Sequence, residues 1–178
     1  MSLDKETVQW LLASENPSVR YFALKDLLDE PGESARLEAE QKRMMSGTVA
    51  SKLLTGQQSD GGFGVHPYTK WTGAHWRLVS LVEQGMRPRD RRGVRMARHV
   101  LEWLTSQQHQ ERIVEVEGRY RVHASQEGNA LAACSRLGLT DQPVVQDVAE
   151  RLVQWQWSDG GWNCDPRPMA DHSSFHES

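Results

Sequence analysis

An all-α fold built from helical hairpins is predicted by three observations on the 178-residue sequence. A short glutamine- and glycine-bearing segment recurs along the chain. Apolar residues between its copies fall at helical rather than strand spacing. Only one stretch, Ile113 to Val122, alternates as a strand does.

The recurrence comes first, because a missed period corrupts every later inference. Ala50 to Gly64 reads A-S-K-L-L-T-G-Q-Q-S-D-G-G-F-G, and Ala149 to Asn163 reads A-E-R-L-V-Q-W-Q-W-S-D-G-G-W-N, a shift of 99 residues. Between them Val100 to Gln108 reads V-L-E-W-L-T-S-Q-Q, without the D-G-G turn, so Gln57, Gln107 and Gln156 mark intervals of 50 and then 49.

The elements follow in chain order. Pro17 near the start, Val19, Phe22, Ala23 and Leu27 on one face, and Pro31-Gly32 as the stop define an N-terminal helix like one of a HEAT-type solenoid. Helices lead into the glutamines: Val94, Ala97, Leu101 and Leu104 share one face, and Val145, Val148, Leu152 and Trp155 another. A second ladder lies between, at Thr72 to Gly85 and Ser125 to Gly138, each apolar at helical spacing and each stopping on glycine. Each unit therefore reads as a helical hairpin, roughly seven or eight helices in all. Ile113 to Val122, with a glycine in its middle, reads as a short β-hairpin.

Composition excludes several function classes. A formal charge of -3, with 38% hydrophobic and 25% charged residues, is that of a globular domain, not a disordered chain or a dedicated nucleic-acid binder. No apolar run is long enough to span a bilayer, and Asp4, Lys5, Glu6 and Glu15 stand where a signal peptide needs apolar residues. A cytoplasmic location is expected, with Cys134 and Cys164 as thiols rather than a disulfide framework.

The D-G-G segments have an architectural explanation. Asp60-Gly61-Gly62 and Asp159-Gly160-Gly161 let the chain reverse, while the preceding glutamine can bond open groups at neighbouring helix ends and Phe63 or Trp162 can pack beneath. Gln-x-x-Asp-Gly-Gly-Phe/Trp, repeated at about fifty residues and followed by T-G-A-H-W, resembles the QW motif of the squalene and hopene cyclases. The chain is similar to the uncharacterised bacterial prenyltransferase- or squalene-cyclase-like proteins of that superfamily. The resemblance covers roughly residues 47 to 178, with the helices of 1 to 46 as a first hairpin of the same single domain. It implies an αα-toroid whose inner helices line an aromatic cavity for an isoprenoid-type molecule. This chain supplies about half of such a ring, so self-association or a missing C-terminal half is expected.

The resemblance also directs the search for chemistry. Class II terpene cyclases protonate an alkene through D-x-D-D, and isoprenoid synthases hold magnesium through D-D-x-x-D; neither motif occurs here. Protein prenyltransferases use zinc held by Asp, Cys and His. Cys164, Asp165, His172 and His176 offer such ligands, although the order Asn163-Cys164-Asp165 departs from that family's Asp-x-Cys, and packing is the competing role for Cys164. Otherwise no cofactor is required. His75 and His176 stand at nearly equivalent places, each at the start of an inner helix, and, with Asp165, are the candidate acid-base groups. Tyr68, Trp71 and Trp76 offer π faces to a substrate or cation, against the alternative that they are core. The arginine run between Arg87 and Arg98 suits a phosphate or a membrane surface, or is a solvated connector offset by Glu38, Glu40 and Glu83. Two functions stay open: an isoprenoid-handling enzyme or its inactive remnant, and a non-catalytic α-solenoid interaction module. A deep apolar cavity lined by His75 and Trp76 would mark the first, and a shallow open groove the second.

Overall fold

The computed structural model describes residues 4–174. Helix α1 (Lys5–Leu12) starts on Asp4, whose carboxylate accepts the Glu6 and Thr7 N–H groups, and α2 (Pro17–Phe22) starts on Asn16 with Pro17 in its first turn. A π-helical turn, Ala23–Leu27, continues α2. Helix α3 (Ala35–Ser46) is capped by Ser34 and packs on α2, where Arg20 donates from Nε to Glu40 at 3.0 Å. Gly47 separates α3 from α4 (Thr48–Leu54).

The remaining elements are α5 (Ala74–Glu83), α6 (Arg91–Leu104), the one-turn α7 (Gln107–Gln110), strands β1 (Val114–Val116) and β2 (Arg119–Arg121), α8 (Ala124–Arg136) and α9 (Pro143–Gln154). The class is helical, as the periodicity implies. The short alternating stretch forms an antiparallel hairpin in which Val114 faces Arg121 and Val116 faces Arg119. Its two-residue turn has Glu117 and Gly118 both at positive φ, the geometry that matches the twist of paired strands.

Helix α5 packs on α6, α8 packs on α9, and α5 and α6 both touch α8. The core lies where these four meet. From α6 it takes Met96, Val100 and Leu104, from α5 Leu78 and Leu81, and from the end of α8 Cys134 and Leu137. Burying one such side chain contributes about 1.5–3 kcal/mol. Both glycine stops act as expected: Gly85 and Met86 donate back to Val82 and Leu81, and Gly138 and Leu139 donate to Ser135 and Cys134, closing the same double hydrogen-bonded cap.

Gln57, Gln107 and Gln156 follow within three residues of the ends of α4, α6 and α9. The two D-G-G turns match bond for bond. Gln58 N–H donates to the Gly62 carbonyl and Trp157 N–H to that of Gly161, both at 2.9 Å. Asp60 accepts the Gly62 N–H at 2.8 Å and Asp159 that of Gly161 at 3.2 Å.

Candidate functional site

A cavity of about 600 Å³ opens where the loop before α5, the end of α6, α7, the β-hairpin and the start of α8 come together. One wall is aromatic. Tyr68 stacks on Trp103 at 5.6 Å between ring centroids, and His66 and His109 meet Trp103 edge-on at 5.2 and 4.8 Å. Such pairs are worth about 0.5–1.5 kcal/mol beyond the area they bury, so the wall is rigid.

The opposite side is polar. Glu127, in the first turn of α8, has its Oε1 at 2.8 Å from His109 Nε2, and both side chains are almost wholly enclosed. A carboxylate suits a helix N-terminus, where unpaired N–H groups carry partial positive charge. With the Nε2–H donated to Glu127, the His109 ring has a fixed tautomer whose Nδ1 can accept a proton. Among the described residues, His109 Nδ1, Glu127 Oε2 and Arg121 Nε are buried without a hydrogen-bond partner. Three such groups around one cavity form a polar constellation that a bound molecule can complete.

Arg121 is 4% exposed and is held from behind. Its guanidinium lies 4.8 Å from the Trp157 ring centroid and donates to the Ala170 carbonyl at 3.0 Å. The segment after the second D-G-G turn grips the same hairpin: Val122 N–H donates to Asn163 O, and Trp157 Nε1 to Tyr120 O. That segment thus sets the cavity's arginine in place.

The expected site residues divide into two groups. Tyr68 lines the cavity, and His75 and Trp76 stand behind it, with centroids 5.0 and 5.4 Å from the Tyr68 ring. His75 is fully enclosed, neither nitrogen has a partner among the described residues, and burial pushes its pKa down to about 4. It is a neutral packing ring at pH 7. Trp71 extends the aromatic row past Trp76 and is largely exposed. The cavity therefore differs from the apolar one expected around His75 and Trp76, because its lining joins aromatic rings to charged groups.

The second group does not join the first. Asp165 is held by Arg167, whose hydrogen bonds lower its pKa to about 2, so it is a permanent carboxylate rather than an acid. His172 is exposed and turned onto Asp171 at 2.8 Å, Cys164 is half-buried, and His176 lies outside the described residues. Among the described residues no three His, Cys, Asp or Glu side chains converge as metal ligands. The described members of the zinc set therefore do not fit a zinc site by themselves.

The cavity also holds His66. Burial first, then the charges of Arg112 and His109, lowers its pKa from the ordinary histidine value. The thiol of Cys134 is pushed up to about 11 by burial in the core, which makes it inert packing. His109, Glu127, Trp103 and Arg121 were not among the residues singled out from sequence. Glu127 nevertheless carries a signal: the two inner-helix segments align at a shift of 53, which sets Glu127 in the buried slot that Ala74 fills in α5. No known protein family, curated protein or solved structure matches the chain.

Proposed function

We propose that the protein handles an amphipathic isoprenoid-type molecule in this cavity, as a prenyltransferase- and terpenoid-cyclase-like αα-hairpin protein. One observation carries the reading: the aromatic wall of Tyr68 and Trp103 shares a cavity with the buried His109–Glu127 pair. The wall offers π faces to an unsaturated chain or to a developing cation. The pair offers an oriented proton acceptor, with Glu127 holding the imidazole as a carboxylate does in a catalytic triad. Arg112 and Arg121 suit a polar head. With D-x-D-D and D-D-x-x-D absent from the sequence, the chemistry assigned is proton removal, not alkene protonation or magnesium-assisted ionisation. The toroid-like part of the reading is supported by the order of the hairpins, with α4, α6 and α9 leading to the glutamines and α5 and α8 in contact between them.

Binding of farnesol, followed by tryptophan fluorescence, tests this. Saturable quenching is expected, weakened roughly tenfold in Trp103→Leu. Glu127→Gln should keep the binding, since the aromatic wall is unchanged. Absence of saturable binding, or the same affinity in Trp103→Leu, would remove the isoprenoid reading. The second reading, an α-solenoid interaction module, is favoured by the N-terminal helices. Trp10 is 74% exposed on α1, and Leu11, Val19, Phe22 and Leu27 line an open apolar groove of about 490 Å³.

A further inference from the structure

Six arginines lie between Arg87 and Arg98, with Asp90 as the one carboxylate among them. Asp90 is engaged by Arg92 at 2.7 Å. The glutamates expected to offset the run are elsewhere occupied: Glu40 pairs with Arg20 and Arg43, and Glu83 with Arg136. Arg87 reaches the Gln41 side chain and, from Nη2, the backbone carbonyl of Glu38. That leaves Arg89, Arg91, Arg95 and Arg98, which make no ion pair among the described residues and which all line one groove of about 430 Å³ between α6 and the α8–α9 turn.

The groove is built for more than a bare anion. Positions 91, 95 and 98 are four and three residues apart, so their side chains rise from one face of α6. Val94 and Leu101 on α6, with Leu139 and Val144 across from them, supply an apolar floor, and among the described residues no carboxylate lines the groove. Guanidinium forks match phosphate oxygens, and several of them suit a dianion better than a singly charged carboxylate. Nucleic acid is the poorer partner, because no aromatic ring lines the groove for a base to stack on and the chain carries a net charge of -3. We propose that this groove binds a single-chain alkyl phosphate, with the phosphate on Arg91, Arg95 and Arg98 and the chain along the apolar floor. The site is separate from the cavity of Tyr68 and Trp103, and shares no residue with it.

Calorimetry of the full chain with decyl phosphate below its micelle concentration, beside inorganic phosphate, tests the proposal. One-site saturation by decyl phosphate is expected, with inorganic phosphate roughly tenfold weaker or more and the double variant Arg91→Ala/Arg98→Ala weakened by a similar factor. Val144→Asp should weaken decyl phosphate, and Trp103→Leu should leave it unchanged, which keeps this result independent of the farnesol experiment. All the altered groove positions are exposed, and an unchanged thermal midpoint confirms each variant's fold. Equal affinity for the two phosphates would reduce the groove to a simple anion patch, and unchanged affinity in the double variant would move the site elsewhere. Binding to phosphatidic acid vesicles without binding of monomeric decyl phosphate would make it a membrane surface. Any of these three overturns the proposal.

Discussion

The two D-G-G turns share the Asp-Gly-Gly sequence, the same hydrogen bonds to their backbone N–H groups and nearly the same glycine φ, yet they sit in opposite surroundings. The first turn lies against α6. Gln57 donates to the Arg92 carbonyl at 2.9 Å and accepts from Arg95 at 3.2 Å, while Asp60 faces His99 at 3.5 Å. Among the described residues the second turn meets no helix of that kind. Gln156 donates to the Gly160 carbonyl within its own turn, and Asp159 accepts the Ser173 N–H at 2.7 Å, so a piece of irregular chain stands where His99 stands in the first copy. Even the contacts of the second glycine correspond, since a Cβ on Gly62 would meet the His99 ring and one on Gly161 would meet Ser173. The lesson is that the motif folds locally and docks separately. Its backbone bonds form in both places, and the energy it adds to the tertiary structure depends on what covers it.

Substitution at the third-from-last motif position breaks this comparison most sharply. Gly61 and Gly160 have φ of +94° and +91°, so a side chain strains both turns alike. A Cβ on Gly61, however, would lie 2.2 Å from the Arg95 carbonyl oxygen, whereas one on Gly160 meets nothing within 4 Å among the described residues. Gly61→Ala should therefore destabilise by about 4 kcal/mol, from strain plus a backbone clash, and Gly160→Ala by about 1 kcal/mol from strain alone. Urea unfolding measures both. Equal losses would mean that α6 yields to the first turn and that docking contributes little.

Acid separates the same two regions by another route. His75, behind Tyr68, is buried and neutral, whereas His172, in the segment that covers the second turn, is exposed. The unfolded chain protonates His75 near its ordinary 6.5, and the folded chain only near 4. Between those values the unfolded state holds the extra proton. The His75 contribution is thus complete above pH 6.5 and is lost as pH falls towards 4, by roughly 3 kcal/mol. His75→Phe should flatten that part of the stability profile with little change at pH 7, because neither ring nitrogen has a partner to lose. A slope unchanged in His75→Phe would show that other groups carry the acid sensitivity.

The same local-versus-docked distinction explains what was legible in the sequence. The glycine caps at Gly85 and Gly138, the turn at Glu117-Gly118 and the D-G-G reversals are all written in a few adjacent residues, and all appear where periodicity and turn chemistry put them. The aromatic row was half legible, because Tyr68, Trp71 and Trp76 lie close together in sequence while their partner Trp103 comes from the next helix. His109 and Glu127 are 18 residues apart, on two helices separated by a hairpin, and no local pattern joins them. Their signals are departures from the repeat. His109 falls in the copy that lost its D-G-G turn, and Glu127 is a carboxylate in a slot that holds alanine in the sibling helix. The zinc set illustrates the converse: Cys164, Asp165 and His172 are near in sequence, but Asp165 is tied to Arg167 and His172 to Asp171.

The smallest expected effect isolates docking from backbone strain altogether. Gln57 and Gln156 have the same place in the motif, and neither is needed for the turn's backbone bonds, so Gln→Ala leaves both turns able to form. Gln57→Ala removes a half-buried bridge to two groups of α6 and should cost about 1 kcal/mol, the usual net value of such hydrogen bonds. Gln156→Ala removes one exposed bond within its own turn and should stay within about 0.5 kcal/mol of the parent. Because Arg95 also lies on the bridge, the double variant Gln57→Ala/Arg95→Ala should lose less than the two single losses together, whereas Gln156→Ala/Arg95→Ala should be additive. Denaturant midpoints at constant slope resolve differences of this size when the variants are measured side by side. Additivity in the first cycle would mean that the Gln57 bridge is an incidental surface contact, and that the clash-sensitive glycine beside it is what fixes the turn to α6.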